Sequence, residues 1–112
     1  MNPGPSKDLI AASSRPLVLS ILARADNYGY AIIREVKRLS GGHLDWKEGM
    51  LYPVLHRLEA EKLIEASWRQ VDGRRRKYYR LTEAGNRALA RERQEWETMN
   101  ATLGRAWASV LT

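Results

Sequence analysis

The chain has 112 residues, of which 44% are hydrophobic and 29% charged, a balance typical of one globular domain. It contains no cysteine, which excludes a disulfide scaffold, a cysteine-ligated metal and a cysteine nucleophile. No apolar run approaches the ~18 residues that span a bilayer, and the first residues lack the apolar stretch of a secretory signal. We therefore expect a cytoplasmic protein without a membrane partner. The net charge of +6 indicates a polyanionic partner if the excess is concentrated in one place.

The predicted elements begin with an N-terminal segment, residues 1–13, which we expect to be partly flexible. Ser14 is a candidate N-cap for a first helix, because Pro16 would then lie in the first turn, where no intrahelical donor is lost. An apolar stripe at helical spacing follows as far as about Ala25. The sequence therefore predicts a first helix that starts at residue 14.

A second and a third helix follow in the sequence. Ile32 and Val36 belong to an apolar face at helical spacing, and the pair Gly41-Gly42 is a stop signal for the second helix. Asp45 and Glu48 stand three residues apart and form a candidate capping box for the third helix. The outward face of this third helix carries Lys47, Tyr52, His56 and Arg57.

The charge excess is concentrated in residues 69–80. This stretch carries six basic residues against Asp72 alone, so it accounts for +5 of the net +6. Asp72-Gly73 is a strong hairpin signal because a tight turn needs positive φ, and side chains alternate on both sides of it with the period of a strand. The sequence therefore predicts an antiparallel hairpin suited to lying along a phosphate backbone. Its tip and returning strand carry Arg74, Arg75, Arg76 and Lys77.

The C-terminal region, residues 82–112, predicts one long helix that has Thr82 as its N-cap and runs to about Ser109. At 1.5 Å per residue it is ~40 Å long, which is more than one compact core can cover. Its apolar residues recur every seven positions, and such a heptad seam requires a second helix to pack against. The chain has no spare helix, so the simplest partner is a second copy. The predicted dimer seam consists of Leu89, Trp96, Met99, Leu103, Trp107 and Val110.

The order of these elements predicts a mainly α fold with a small β-hairpin. It is a winged helix-turn-helix over residues 14–81, followed by a C-terminal dimerisation helix over 82–112. Three runs resemble the PadR-like transcriptional regulators, and the resemblance covers about residues 14–90. They are Tyr-Gly-Tyr-Ala-Ile at 28–32, Gly-Met-Leu-Tyr-Pro-Val-Leu-His-Arg-Leu-Glu at 49–59 and Gly-Arg-Arg-Arg-Lys-Tyr-Tyr-Arg-Leu-Thr-Glu-Ala-Gly at 73–85.

The single C-terminal helix resembles the short subfamily of these regulators. Two residues depart from the family pattern: Tyr28 stands where members often have His, and Lys62 where they usually have Gly. The resemblance implies a homodimeric, DNA-binding repressor of a nearby operon, and some members respond to planar aromatic effectors. Two copies of the third helix ~34 Å apart would read a pseudo-palindrome.

The expected DNA-binding residues come from the third helix and the hairpin, which forms the wing. They are Lys47, Tyr52, His56, Arg57, Arg74, Arg75, Arg76 and Lys77. Two roles stay open for Tyr52, a DNA contact or packing on the second helix, and His56 is either a base contact or a plain surface residue. Arg57 suits a phosphate contact. Arg69 and Arg80, lower on the strands, are expected to stiffen the hairpin.

The four tryptophans give a second functional hypothesis. Trp46 and Trp68 are expected in or near the core, whereas Trp96 lies in the middle of the heptad seam. Two copies of Trp96 facing each other would leave a flat apolar slot for a planar hydrophobic compound. The alternative is that Trp96 only packs the dimer. The candidate ligand-binding residues are Trp96, Met99, Leu9 and Ile10.

The sequence offers no catalytic centre and no metal site. Its two histidines, His43 and His56, have no serine and carboxylate arrangement typical of a triad, and they do not make a zinc site. We expect no enzyme and no cofactor. The alternative to an operator-binding regulator is a winged-helix module for protein or RNA interaction. A steep loss of duplex affinity with salt, together with preference for one promoter, would separate the two.

Overall fold

The computed structural model describes residues 4–111, which form four helices and one three-stranded antiparallel sheet. The helices are α1 (Lys7–Arg24), α2 (Gly29–Leu39), α3 (Glu48–Ala60) and α4 (Glu83–Leu111). The strands are β1 (Asn27–Tyr28), β2 (Ile64–Val71) and β3 (Arg74–Leu81), in the sheet order β1-β3-β2. The predicted fold class, a winged helix-turn-helix followed by a long C-terminal helix, is confirmed. Residues 1–3 of the predicted N-terminal segment, and Thr112, lie outside the described residues.

The first helix begins earlier than predicted. α1 starts at Lys7, where the hydroxyl oxygen of Ser6 caps it by accepting a hydrogen bond from the backbone N–H of Leu9. Ser14, the predicted cap, is a buried residue inside the helix. The prediction was wrong because it placed Pro16 in a first turn. Pro16 lies inside α1, where burial of one helix face offsets the hydrogen bond that a proline removes.

The hydrophobic core lies between the inner faces of the first three helices, β3 and the first turns of α4. Tyr79 of β3 is at its centre with 1% of its surface exposed. Trp46 is buried, as predicted, but the prediction for Trp68 was wrong. Its side chain is 57% exposed because this part of β2 extends beyond the helices that cover the core. The fully buried side chains also include Val18, Leu19, Ile32, Val36, Leu51, Leu55, Leu58 and Ile64.

The hairpin has the predicted turn. Asp72 and Gly73 have φ values of +50° and +77°, so both central residues are in the left-handed region that a type I′ turn requires. β2 and β3 pair residue for residue without a bulge, from Val71 opposite Arg74 to Ile64 opposite Leu81. The hairpin is therefore a continuous ribbon whose far end carries the basic residues.

The third helix begins without the predicted capping box. Its N-cap is Lys47, which makes no side-chain capping hydrogen bond. The carboxylate of Asp45 accepts a hydrogen bond from the Lys47 ammonium at 3.3 Å. It also lies 3.9 Å from the ammonium of Lys37. Asp45 is too far before the first turn to cap it, so the prediction from the spacing of Asp45 and Glu48 was wrong.

The junction between α3, β2 and α4 is closely packed. Lys62 adopts φ +62° in the turn after α3, the conformation that glycine adopts most readily. Thr82 caps α4 as predicted, since its hydroxyl accepts the N–H of Gly85 at 3.0 Å, and its own N–H donates to the carbonyl of Leu63 at 3.0 Å. A Cβ on Gly85 would lie 2.1 Å from that same carbonyl oxygen. The start of α4 is therefore fixed against the chain that leaves α3.

Candidate nucleic-acid interface

Four cations of the wing lie together on β3, the strand that returns from the turn. They are Arg74, Arg75, Arg76 and Lys77. Three of them lie over aromatic rings: Arg75 over Trp68 at 4.7 Å, Arg76 over Tyr28 at 4.3 Å and Lys77 over Tyr79 at 5.7 Å, each to the ring centre. An aromatic face attracts a cation without neutralising it. These contacts therefore restrict the basic side chains while leaving their charge available to a ligand.

Carboxylates neutralise the lower part of the hairpin but not its tip. Arg69 pairs with Asp26 at 2.6 Å, and Arg80 pairs with Glu65 across the two strands. Among residues 4–111, no ion pair involves positions 74–77. The structure thus separates paired arginines, which hold the ribbon in place, from unpaired cations at its far end.

The outward face of α3 carries the four predicted residues, but they differ in exposure. Lys47, His56 and Arg57 are exposed, whereas Tyr52 is half-buried. The Tyr52 hydroxyl lies against the start of α2, where a Cβ on Gly29 would come within 2.5 Å of it. Of the two roles left open for Tyr52, packing on the second helix is therefore observed.

A cleft of about 520 Å³ joins the wing to the start of α2. Tyr28 lines this cleft between two guanidinium groups. That of Arg76 lies over its ring, and Nη2 of Arg34 donates a hydrogen bond to its hydroxyl at 3.1 Å. Arg34 also lies over the ring of Tyr30 at 5.0 Å. None of the described residues that line this cleft is acidic. They are Tyr28, Gly29, Tyr30, Arg34, Tyr52, Trp68, Arg74, Arg75, Arg76 and Lys77.

The positive potential of this cleft acts on the Tyr28 phenol. The hydrogen bond from Arg34 lowers the pKa of Tyr28 by more than burial raises it, and the charges of Arg34 and Arg76 lower it further. Five cations line the cleft and no acidic residue does, so the cleft is suited to a phosphate group.

Sequence reasoning missed the contribution of Tyr28, Tyr30, Arg34 and Trp68 to this surface. Tyr28 reaches the wing because the two-residue strand β1 pairs with β3, Tyr28 opposite Tyr78, and so short a strand has no periodicity to detect. The only local signal is the spacing of Tyr30 and Arg34, which puts both on one helix face.

A second cleft, of about 540 Å³, lies between α2 and the start of α3. Arg34, Lys37 and Lys47 line it together with two acidic residues, Asp45 and Glu48. Asp45 pairs with both lysines, beside the helix start that no side chain caps. The buried indole N–H of Trp46, which also lines it, has no hydrogen-bond partner within the described chain. This second cleft is therefore mixed in charge, unlike the cleft beside the wing, and Arg34 lines both.

The predicted seam of α4 divides into a covered and an uncovered part. Leu89 and Trp96 are half-buried, whereas every side chain from position 97 to 110 is exposed. Leu103 is 39% exposed and Val110 77%, with Met99 and Trp107 between these values. Large apolar side chains in a row on a projecting helix are typical of an interaction surface.

The four predicted ligand-binding residues do not meet in one protomer. Trp96 lines an apolar groove of about 480 Å³ against Leu17 of α1 and Leu39 of α2. Met99 lies on a neighbouring face of α4, and Leu9 is half exposed on α1. Ile10 packs against the core instead of lining this groove.

Within residues 4–111, no three histidine or carboxylate side chains are grouped to hold a metal ion. No helix of that part of the chain is long and apolar enough to cross a membrane. The fold, together with the basic wing and its cleft without acidic lining residues, defines a winged helix-turn-helix transcription regulator.

Comparison with known proteins agrees with this class. The sequence profile of the Transcriptional regulator PadR-like family matches residues 18–91, and the chain belongs to this family. The transcriptional regulator Rv3488 of Mycobacterium tuberculosis is 51% identical over 51 residues, which are 46% of this chain and 48% of that protein. The predicted resemblance is confirmed, and members of the family are transcriptional regulators, not enzymes.

Solved structures extend the likeness to nearly the whole chain. A PadR family transcription regulator from Clostridium difficile R20291 has a TM-score of 0.76 at 36% identity, over 83% of this chain and 96% of that one. A transcriptional regulator from Clostridium thermocellum has a TM-score of 0.80 at 28% identity, over 88% of this chain and 97% of that one. Both chains are similar in length to this one, which agrees with a single C-terminal helix.

Proposed function

We propose that this chain is a sequence-specific DNA-binding repressor that acts in the cytoplasm as a homodimer on a pseudo-palindromic operator. The observation that carries the proposal is the set of unpaired wing cations beside a cleft without carboxylates. Phosphate contacts position a protein on DNA, and base contacts specify the sequence. In this proposal the wing and the cleft supply the phosphate contacts, and α3 supplies the base contacts.

In this proposal α3 lies in the major groove and the wing follows the adjacent backbone. Arg57 and His56 are exposed on α3, and Lys47 stands at its start. An arginine can bind guanine O6 and N7 with two hydrogen bonds, and a lysine at a helix start is suited to phosphate. Tyr52 lines the cleft and supports the orientation of α3, since its hydroxyl packs against the start of α2.

The second copy packs along the exposed part of α4. Leu103, Trp107 and Val110 lie on the seam that one protomer leaves uncovered. Burial of these side chains against the same helix of a partner removes their apolar area from water. A two-fold dimer then presents two α3 helices about one DNA turn apart, which explains a pseudo-palindromic operator.

A second candidate function is release from DNA by a planar aromatic compound. The apolar groove beside Trp96 supports it, because an indole ring offers a flat face for stacking. Met99, Leu9 and Ile10 lie off this groove in one protomer, so they reach such a ligand only across the dimer. The ligand must favour a dimer arrangement that mismatches the operator.

Fluorescence quenching tests this second function. In a variant that keeps Trp96 and has Phe at the other three tryptophans, we expect planar dyes to quench the emission with saturation. A variant that keeps Trp107 alone is the matched control and should show weaker quenching. Emission of the Trp96 variant that does not change across a panel of planar dyes would contradict the effector hypothesis.

The DNA-binding proposal is tested by removing wing charge. The double variant Arg74→Ala, Arg75→Ala should bind all duplexes more weakly. It should also reduce the magnitude of the slope of log affinity against log salt by about 2, because each lost phosphate contact removes about 0.9. The matched control is Arg91→Ala, Arg105→Ala, which removes two exposed arginines from α4. Equal affinity of the wing variant and the unsubstituted chain at 150 mM salt would refute the wing assignment. Equal affinity for duplex RNA would favour the RNA-interaction alternative.

A further inference from the structure

Arg15 of α1 binds two carboxylates that belong to different elements. Its Nη1 donates to Glu61 at 2.6 Å, while its Nη2 and Nε donate to the two carboxylate oxygens of Glu92 at 3.1 and 3.4 Å. The Glu92 side chain is 16% exposed and that of Arg15 is 26% exposed. The hydrogen bonds to Glu61 and Glu92 raise the pKa of Arg15, so its guanidinium stays charged across the physiological pH range.

The two carboxylates stand at positions that matter for the geometry of the dimer. Glu61 is the C-cap of α3, the helix proposed to read the bases. Glu92 lies in the third turn of α4, the helix proposed to form the dimer. The Arg15 bridge therefore connects the DNA-reading helix to the dimerisation helix through one side chain of α1.

The bridge supplies a second fixed point on α4. The first is the start of the helix, where Thr82 bonds to the carbonyl of Leu63 and Gly85 packs against it. Glu92 is ten residues further on, ~15 Å along the helix axis. Two fixed points restrict the direction in which α4 projects beyond Glu92, where every side chain from position 97 to 110 is exposed.

A small change in this direction has a large effect at the DNA. The part of α4 beyond Glu92 is ~28 Å long, so a tilt of about 5° displaces its outer end by roughly 2 Å. Both protomers contribute, and the distance between the two α3 helices changes by about twice that. DNA rises by about 3.4 Å per base pair. A tilt of this size therefore corresponds to about one base pair of half-site separation.

We propose that Arg15 is a positioning residue that sets the separation of the two DNA half-sites by fixing the direction of α4 relative to α3. The inference rests on the proposed homodimer and on its use of α3. Partly exposed ion pairs contribute little to stability. The same pairs can still select between orientations of similar energy, and this is the role of the Arg15 bridge.

Distances between the two α3 helices test the bridge without DNA. The chain has no cysteine, so His56→Cys introduces a single site for a nitroxide spin label on exposed α3. Pulsed dipolar spectroscopy of the labelled dimer should give one narrow distance. We expect Arg15→Met, which keeps an unbranched apolar stem but removes both ion pairs, to broaden or shift this distribution. Arg15→Lys cannot bind both carboxylates in the same way and should restore it only in part.

Two further variants control for folding and for loss of charge. Glu61→Gln removes the charge of one arm of the bridge at an exposed position and should broaden the distribution even if Arg15→Met fails to fold. Arg38→Met breaks an exposed ion pair with Glu35 inside α2 and should leave the distance unchanged. A narrow, unshifted distance in both Arg15→Met and Glu61→Gln would overturn the role of Arg15 and leave the homodimer standing. Absence of dipolar coupling in the His56→Cys chain would contradict the homodimer itself, and the inference with it.

Selection from a library of random DNA duplexes gives the functional readout. The unsubstituted chain should enrich inverted repeats with one separation between half-sites. Arg15→Met should enrich the same half-site sequence with two or more separations differing by one or two base pairs. The same single separation for both proteins would contradict the proposal. Enrichment of unrepeated sites by the unsubstituted chain would contradict the proposed pseudo-palindromic operator.

Discussion

The guanidinium of Arg76 lies 4.3 Å from the ring centre of Tyr28, so the wing contacts the residue that precedes the second helix. Tyr28 also accepts a hydrogen bond from Arg34 and packs edge-on against Tyr78 at 5.4 Å between ring centres. These contacts join the cations of the wing and of α2 into one surface. The proposed interface is therefore wider than the wing alone.

Arg34→Ala should weaken binding to every duplex and lower the salt slope by about 1, because it removes one proposed phosphate contact. Arg38→Ala is the matched control on the same helix, since Arg38 is paired with Glu35 at 2.5 Å. Fluorescence anisotropy of a labelled duplex from 50 to 200 mM salt measures both. Identical salt slopes for the two variants would exclude Arg34 from the interface.

Leu103→Glu should raise the dissociation constant of the dimer by on the order of a hundredfold, because it buries an unpaired charge in an apolar seam. Ala101→Glu places the same charge on α4 outside the heptad seam and should leave the dimer intact. Sedimentation equilibrium gives both constants. Equal dimerisation of the two variants would show that this part of α4 is not the interface.

Gly85→Ala should destabilise the fold by more than ~2 kcal/mol, because its Cβ would lie 2.1 Å from the Leu63 carbonyl oxygen, a backbone atom that cannot rotate away. Gly104→Ala meets open space on the same helix and should stabilise it by about 0.5–1 kcal/mol. Urea unfolding followed by circular dichroism measures both changes. A stable Gly85→Ala variant would contradict the close packing at the start of α4.

Tyr79 should make stability depend on pH in the alkaline range. Burial, with a smaller effect of the Glu59 charge, raises its pKa to about 12 from the usual value near 10. The unfolded chain releases this proton first, so the contribution is fully present below pH 10 and is lost as the pH rises to about 12. The loss should total roughly 2–3 kcal/mol.

Urea unfolding between pH 9 and 12 measures this loss. Tyr79→Phe should lose less stability over the interval than the unsubstituted chain, because it has no phenol to ionise. Tyr30→Phe, which removes an exposed phenol, should retain the full loss. The same alkaline loss in all three proteins would show that Tyr79 is not responsible for it.

Local patterns predicted the parts of the fold that local interactions determine. Asp72-Gly73 predicted the turn because two adjacent positive φ values need such residues, and Thr82 predicted the start of α4 because its hydroxyl caps an N–H three residues later. The basic stretch predicted the wing because its charge is contiguous in sequence. These features depend on few residues, which lie close together in the chain.

Contacts between distant residues were not predictable in the same way. Tyr28 and Arg76 are 48 positions apart and meet only through the short strand β1. Pro16 taken by itself indicates a helix start. It lies inside α1 because burial against the rest of the core stabilises the helix around it, and that burial cannot be read from the local sequence. Trp68 has the alternation of a buried strand, but the helices do not extend far enough to cover it.

Footprinting on the DNA upstream of the chain's own gene tests the central claim most directly. A homodimer that reads a pseudo-palindrome should protect two stretches of backbone related by an inverted repeat, with centres about one helical turn, 10–10.5 base pairs, apart. The Arg74→Ala, Arg75→Ala variant should protect both only at higher concentration. Protection of a single unrepeated stretch, or the same weak protection of unrelated DNA, would contradict the account.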